Sequence, residues 1–212
     1  LSIKKNFLVF PVPKMVGGRY SVFSNVGLLP LLLAGVKIKE LLLGAKKANL
    51  FSLVDDSLRN PALVSALTIF YHYQKGKNIY SNLVFPPDLE YLGKWHQQLM
   101  AESLGKGGEG ITPTVTLGTS GFHSLGQLYF EGSRDKLINF IFVKDLDFDF
   151  QISQLEDFEQ IFLGVEGKKI WKVNQAIFEG VGKVYFKKKL PFTETILDKL
   201  NEENLGYLLQ TK

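Results

Sequence analysis

The stretch Leu137-Ile-Asn-Phe-Ile-Phe-Val143 decides the fold class, because six of its seven residues are apolar. A strand with one wet face alternates apolar and polar residues, whereas a continuous apolar run of this length reads as a strand covered on both faces. Upstream, Lys77–Phe85 (KNIYSNLVF) and Thr114–Leu117 have strand character, and Pro86-Pro87-Asp88 opens a long helix that reaches about Leu104. The glycines between Gly105 and Gly110 stop that helix, and Ser124–Phe130 reads as a further one. Downstream, Trp171–Gly180 is predicted as helix, Lys183–Lys189 as strand, and Asn204 onward as the start of another helix. Toward the N-terminus, Ile38–Asn49 and Pro61–Gln74 read as helices, and Ser21–Ala34 as a helix with Ser21 as its N-cap. Phe7–Phe10 (FLVF) reads as a short buried strand closed by Pro11 and Pro13. Strands alternating with helices and covered on both faces indicate an α/β fold, a three-layer α-β-α sandwich with a mainly parallel sheet. No internal repeat and no dividing linker stands out, so residues 1–212 are expected to form a single domain.

The composition narrows the class. The 212 residues are 45% hydrophobic and contain no cysteine, which excludes a disordered chain, a disulfide scaffold and a thiolate metal site. The net charge of +4 is unevenly spread: seven lysines face one acid, Glu179, between Gly167 and Lys189. Just upstream, Lys144 to Glu159 holds six acids, so the chain is dipolar rather than uniformly basic. Base readout favours arginine, and this lysine patch has none, so no nucleic-acid partner is expected. The most apolar stretch, Val26–Val36, covers 11 residues with Pro30 inside it. A membrane span needs about 20, so a buried helix is expected there instead. With no membrane partner indicated, the expected location is cytoplasmic.

Several patterns are decoys. Gly105-Lys-Gly-Gly-Glu-Gly110 matches a dinucleotide fingerprint, yet it follows a helix rather than ending a strand. Gly164-Val-Glu-Gly-Lys-Lys169 lacks the spacing and hydroxyl of a phosphate loop, and His72, His96 and His123 share no metal-ligand spacing.

Three segments carry more. In Val16-Gly-Gly-Arg-Tyr-Ser21, paired glycines let the backbone approach a ligand and an arginine follows; a tight turn with a surface arginine is the plain alternative. Only three residues in the chain are arginine against 22 lysines, which gives Arg19 added weight. In Trp95–Lys106, Gln98 and Glu102 lie four apart on one helix face, near the negative end of the dipole. That position is poor for helix stability and useful for a proton-transfer base; a solvated Glu102 paired with Lys106 is the alternative. In Gly118–Gly132, His123 falls in a turn at the start of a helix, where it is an acid/base candidate or a capping or surface residue.

Together these segments resemble one family. GGRYSVFSNVGLLPLLLAG is similar to the first signature of phosphoglucose isomerases, and QQLMAESLGK resembles the helix with their catalytic glutamate. GITPTVTLGTSGFHSLGQLYFEGSRDK resembles their histidine segment, ending in a G-x-R-D-K motif, and weaker likeness continues through VNQAIFEG and NEENLGYLL. Lys14 and Asn25 depart from the residues usual in the first signature.

The resemblance implies a sugar-isomerase (SIS) domain of flavodoxin-like architecture and interconversion of glucose 6-phosphate and fructose 6-phosphate through a cis-enediolate. It implies Glu102 as the base, Arg19 as stabiliser of the enediolate, and His123 as the ring-opening residue, supplied across a homodimer. Gly18 and Gln98 would contact the sugar phosphate, and neither metal nor organic cofactor is implied. The family's phosphate loop and its ring-opening lysine find no match here. The chain is therefore expected to be the second SIS domain of a longer enzyme, without the N-terminal SIS domain and the C-terminal helix, and inactive alone. A non-catalytic sugar-phosphate-binding SIS module and a dual phosphoglucose/phosphomannose isomerase are the alternatives.

Overall fold

The computed structural model describes residues 7–146, 150–153 and 164–212. Its elements in chain order are α1 (Asn25–Leu33), α2 (Ile38–Ser52), α3 (Pro61–Gln74), β1 (Ile79–Val84), α4 (Glu90–Leu104) and β2 (Thr112–Leu117). Then follow α5 (Gly118–Glu131), β3 (Lys136–Asp145), α6 (Ile170–Lys187), β4 (Phe192–Lys199) and α7 (Glu202–Thr211). They fall into two compact units: residues up to Pro61 with Asn201–Lys212, and Ala62–Leu200.

The larger unit holds a four-stranded sheet of order β2-β1-β3-β4, parallel throughout. Side chains of a strand alternate between faces, and their partners identify the layers. Ser81 of β1 and Thr116 of β2 bond to Tyr129 of α5, while Asn82 of β1 bonds to His96 of α4. Ile69 and Tyr73 of α3 join Tyr80, Met100, Ile111 and Leu137 on the α4 face. Phe140 and Phe142 of β3 stack instead with Tyr185, Phe178 and Trp171 of α6 on the α5 face. Helices therefore cover both faces, as the apolar run Leu137–Val143 requires, and every residue of that run is at most 2% exposed.

In the smaller unit α2 and α7 pair closely, with Leu41, Ala45, Ala48 and Leu208 buried. Here the sequence expectations need correction. Phe7–Phe10 form no strand, and all four side chains are exposed; a strand needs a partner ladder for its backbone groups, which apolar content cannot supply. The helix expected over Ser21–Ala34 opens as a 3₁₀ turn, Gly18–Phe23, and the N-cap of α1 is Ser24 rather than Ser21. Ser24 is extended and its Oγ accepts from Val26 N, whereas Ser21 Oγ is committed to the Gly18 carbonyl at 2.7 Å. Apolar α1 was expected to be buried, yet none of its residues is, and Leu33 is 80% exposed.

In the larger unit, Lys183–Lys189 is not a strand but continues into the end of α6. Trp171, Phe178 and Tyr185, seven apart, put one helical stripe on the sheet, a longer period than the local alternation of KVYF. The last strand is instead Phe192–Lys199, whose mixed residues gave no apolar run because it lies at the sheet edge. Residues 147–149 and 154–163, which hold most of the acidic stretch, lie outside the described residues.

Candidate active site

Helix α4 buries Gly93, His96 and Met100 and leaves the opposite side to solvent. Gln98 and Glu102 are both exposed on it, and Gln98 Nε2 donates to Glu102 Oε1 at 2.8 Å. The two side chains that share a helix face by their spacing are thus hydrogen-bonded to each other, and the amide orients the carboxylate. Gln97, between them and the sheet, donates to the Pro113 carbonyl at 3.1 Å and ties this half of the helix to the start of β2.

Beneath α4 runs a buried polar chain that sequence reading missed. Thr193 and Thr195 of β4 donate to Asn139 Oδ1 at 3.0 Å each, and Asn139 Nδ2 donates to Asn82 Oδ1 at 3.0 Å. Asn82 Nδ2 then donates to His96 Nδ1 at 3.2 Å, which places the His96 proton on Nε2. Asn82 and Asn139 are direct register partners and essentially inaccessible to solvent. Buried polar groups that satisfy one another specify a unique arrangement, so this chain fixes α4, and Glu102 with it, across three strands. A signal was available: β1 and β3 each carry one asparagine among their apolar residues. The Tyr80 phenol lies in the same layer, and burial raises its pKa well above the usual phenol range.

His123 is the sixth residue of α5, inside the helix rather than in a turn before it, and is exposed. Tyr129 pins α5 to β1 and β2 through Ser81 at 3.1 Å and Thr116 at 2.8 Å. Because α4 and α5 cover opposite faces, the sheet separates Glu102 from His123. Gly18 and Arg19 belong to the smaller unit, in the 3₁₀ turn. A side chain at Gly18 would meet nothing within 4 Å, so the space over its backbone is open to a ligand, while Arg19 is half-buried. Asn25, one of the departures from the expected signature, donates to the Pro11 carbonyl at 2.7 Å and braces the preceding loop.

Among the described residues no three His, Asp or Glu side chains group in a way that could hold a metal ion. No described helix is long and apolar enough to cross a membrane.

Fold and residues together define an open α/β domain with helices on both faces of a parallel sheet and an oriented carboxylate on one of them. A family model described as phosphoglucose isomerase matches residues 3–157. The chain belongs to the phosphoglucose isomerase family. It is 35% identical over 206 residues to the glucose-6-phosphate isomerase of Methanocaldococcus jannaschii, covering 97% of this chain and 50% of that protein. It is also 35% identical to the corresponding protein of Rubrobacter xylanophilus, covering 98% of this chain and 48% of that one. A crystal structure of a hypothetical protein from Thermus thermophilus superposes with a TM-score of 0.92 at 30% identity, over 99% of this chain and 51% of that chain. The fold is also that of a glucose-6-phosphate isomerase from Chlamydia trachomatis, with a TM-score of 0.78 at 20% identity, over 98% and 43% of the two chains. The chain thus spans about half the length of the curated relatives it matches.

Proposed function

We propose that this chain is the second SIS domain of a cytoplasmic, homodimeric glucose-6-phosphate isomerase. The Gln98–Glu102 pair on the exposed face of α4 carries the reading. Glu102 removes the proton at C2 of the open-chain sugar and returns it at C1. Negative charge then develops on the enediolate oxygens, where the Arg19 guanidinium stabilises it. Gly18 lets the backbone approach the substrate, and Gln98 holds both the base and the sugar. This is acid–base chemistry that asks for no metal or organic cofactor. The phosphate grip and the ring-opening lysine come from other parts of a longer polypeptide, so the 212 residues alone turn over no substrate. Exposed apolar residues in the smaller unit, among them Leu32, Leu33, Leu42, Leu43 and Phe51, support this, since such surface is usually covered in the working assembly.

The sheet between Glu102 and His123 supports a shared site, in which His123 of one subunit serves the Glu102 of its partner. Full-length Glu102→Gln and His123→Ala should each lose nearly all isomerase activity. Refolded together, they should recover about a quarter of wild-type activity, because half of the dimers are mixed and each contains one intact site. Isomerase activity retained by Glu102→Gln would refute its role as base. No recovery on mixing would refute the shared site.

A further inference from the structure

The Lys187–Lys189 end of the lysine patch has no part in the isomerase reading, yet it reaches a groove of the larger unit. That groove lies at the N-terminal ends of the strands, between the ends of α3 and α6, and has a volume of about 790 Å³. Such a volume suits a small-molecule ligand. Lys75, Lys77, Lys187 and Lys189 line it, and no carboxylate does. The two helix C-termini each contribute about half a negative charge, which leaves the groove strongly positive. Its walls also present rings: Tyr71 is 58% and Phe186 81% exposed, with Phe192 beside them.

Two further observations point to a ligand. Lys77, Leu190 and Pro191 also border a small adjoining pocket of about 10 Å³, lined further by Arg134, Lys136 and Tyr185. The Tyr185 hydroxyl there is buried without a hydrogen-bond partner, although the ring is only 1% exposed. An orphan buried hydroxyl is costly and calls for an explanation. Burial raises the pKa of this phenol, so it remains a donor.

The second observation concerns the helix ends. Both α3 and α6 close with the same paired hydrogen bonds: Lys77 N to His72 O with Gly76 N to Tyr73 O, and Leu190 N to Tyr185 O with Lys189 N to Phe186 O. The left-handed residue is Gly76 in the first, at φ 80°, but Lys189 in the second, at φ 55°. A lysine is strained where its counterpart is glycine, and strain retained at a surface position accompanies function.

We propose that this groove binds a nucleoside polyphosphate. Its phosphates lie among the lysines, one phosphate oxygen accepts from the Tyr185 hydroxyl through one water held in the small pocket, and the base stacks on Tyr71 or Phe186. The site is separate from Glu102 and Gln98, which lie on another helix and do not line it.

Two substitutions separate binding from folding. Lys189→Gly relieves the left-handed strain, and Tyr185→Phe removes an unpartnered hydroxyl, so neither should lower the unfolding midpoint. Titration calorimetry of the 212-residue chain with ATP, at about 150 mM salt to screen diffuse attraction, should show saturable one-to-one binding. Each variant should weaken it about tenfold. Inorganic tripolyphosphate should bind more weakly than ATP, and excess fructose 6-phosphate should not displace ATP. Absence of saturable binding at millimolar ATP, or parental affinity in either variant, overturns the site. Equal affinity for tripolyphosphate overturns the nucleoside assignment, and displacement by fructose 6-phosphate overturns its separateness. None of these readouts depends on isomerase activity.

Discussion

Replacing Gly44 with alanine tests how the smaller unit is held together. An added Cβ at Gly44 in α2 would sit 1.8 Å from the Glu203 carbonyl oxygen and 2.8 Å from Tyr207 N, both backbone atoms of α7. The contact is reciprocal, since a Cβ at Gly206 would sit 1.8 Å from the Leu41 carbonyl oxygen. Backbone cannot rotate aside as a side chain does, so the two helices must part by roughly 1.5 Å to reach ordinary contact. Overpacking of this kind costs about 3 kcal/mol, and the widened seam around Ala45, Ala48 and Leu208 also loses dispersion contacts. Alanine returns about 1 kcal/mol through its better helix propensity. The net expectation is a loss of about 2 to 3 kcal/mol. The same substitution at Gly180, on the exposed side of α6 with nothing within 4 Å, should instead stabilise by about 1 kcal/mol. Both tryptophans, Trp95 and Trp171, lie in the larger unit, so urea unfolding followed by fluorescence suits Gly180→Ala. Hydrogen exchange of α2 and α7 amides suits Gly44→Ala. Unchanged or slower exchange in α2 of Gly44→Ala would refute the backbone-to-backbone packing.

Asn139→Leu should destabilise the larger unit by about 3 kcal/mol, because it strands Asn82 and two threonine hydroxyls; a fluorescence-monitored urea midpoint measures this, and a shift within error would show that the buried polar chain does not act. His72 has its pKa lowered from 6.5 by burial first and by Lys77 second, so the unfolded chain takes up a proton more readily than the folded one. Stability present above pH 6.5 should therefore be lost as pH falls through the depressed folded value, and His72→Gln should flatten that slope in denaturation curves measured across the interval. A steeper or unchanged slope in the variant would contradict the cause assigned.

Local features are legible in the chain itself. The limits of Pro61–Gln74 follow from a proline that opens that helix and from Lys75-Gly76, which closes it. The two inner strands are visible because burial on both faces favours apolar residues on both, most clearly in Leu137–Val143, where Asn139 alone interrupts the run. The spacing of Gln98 and Glu102 puts them on one helix face, since four residues make about one turn. The end of α6 misleads because residues 183–186 alternate like a strand, and only the sheet shows that Tyr185 continues a stripe begun at Trp171. The edge strand β4 escapes notice because one-sided packing leaves no apolar run to find.

By itself, then, the chain determined what depends on near neighbours: most helix spans, the inner strands, the shared face of Gln98 and Glu102 and the family it resembles. The tertiary structure alone decided which face each helix covers, and with it the separation of Glu102 from His123. It alone joined Asn82 to Asn139 across the register and brought Lys75 and Lys189 around one groove, with Tyr185 in the small pocket beside it. The physical reason is that a sheet pairs residues far apart in the chain, and a residue's face and partners are set by strand order and crossover, which no local pattern encodes.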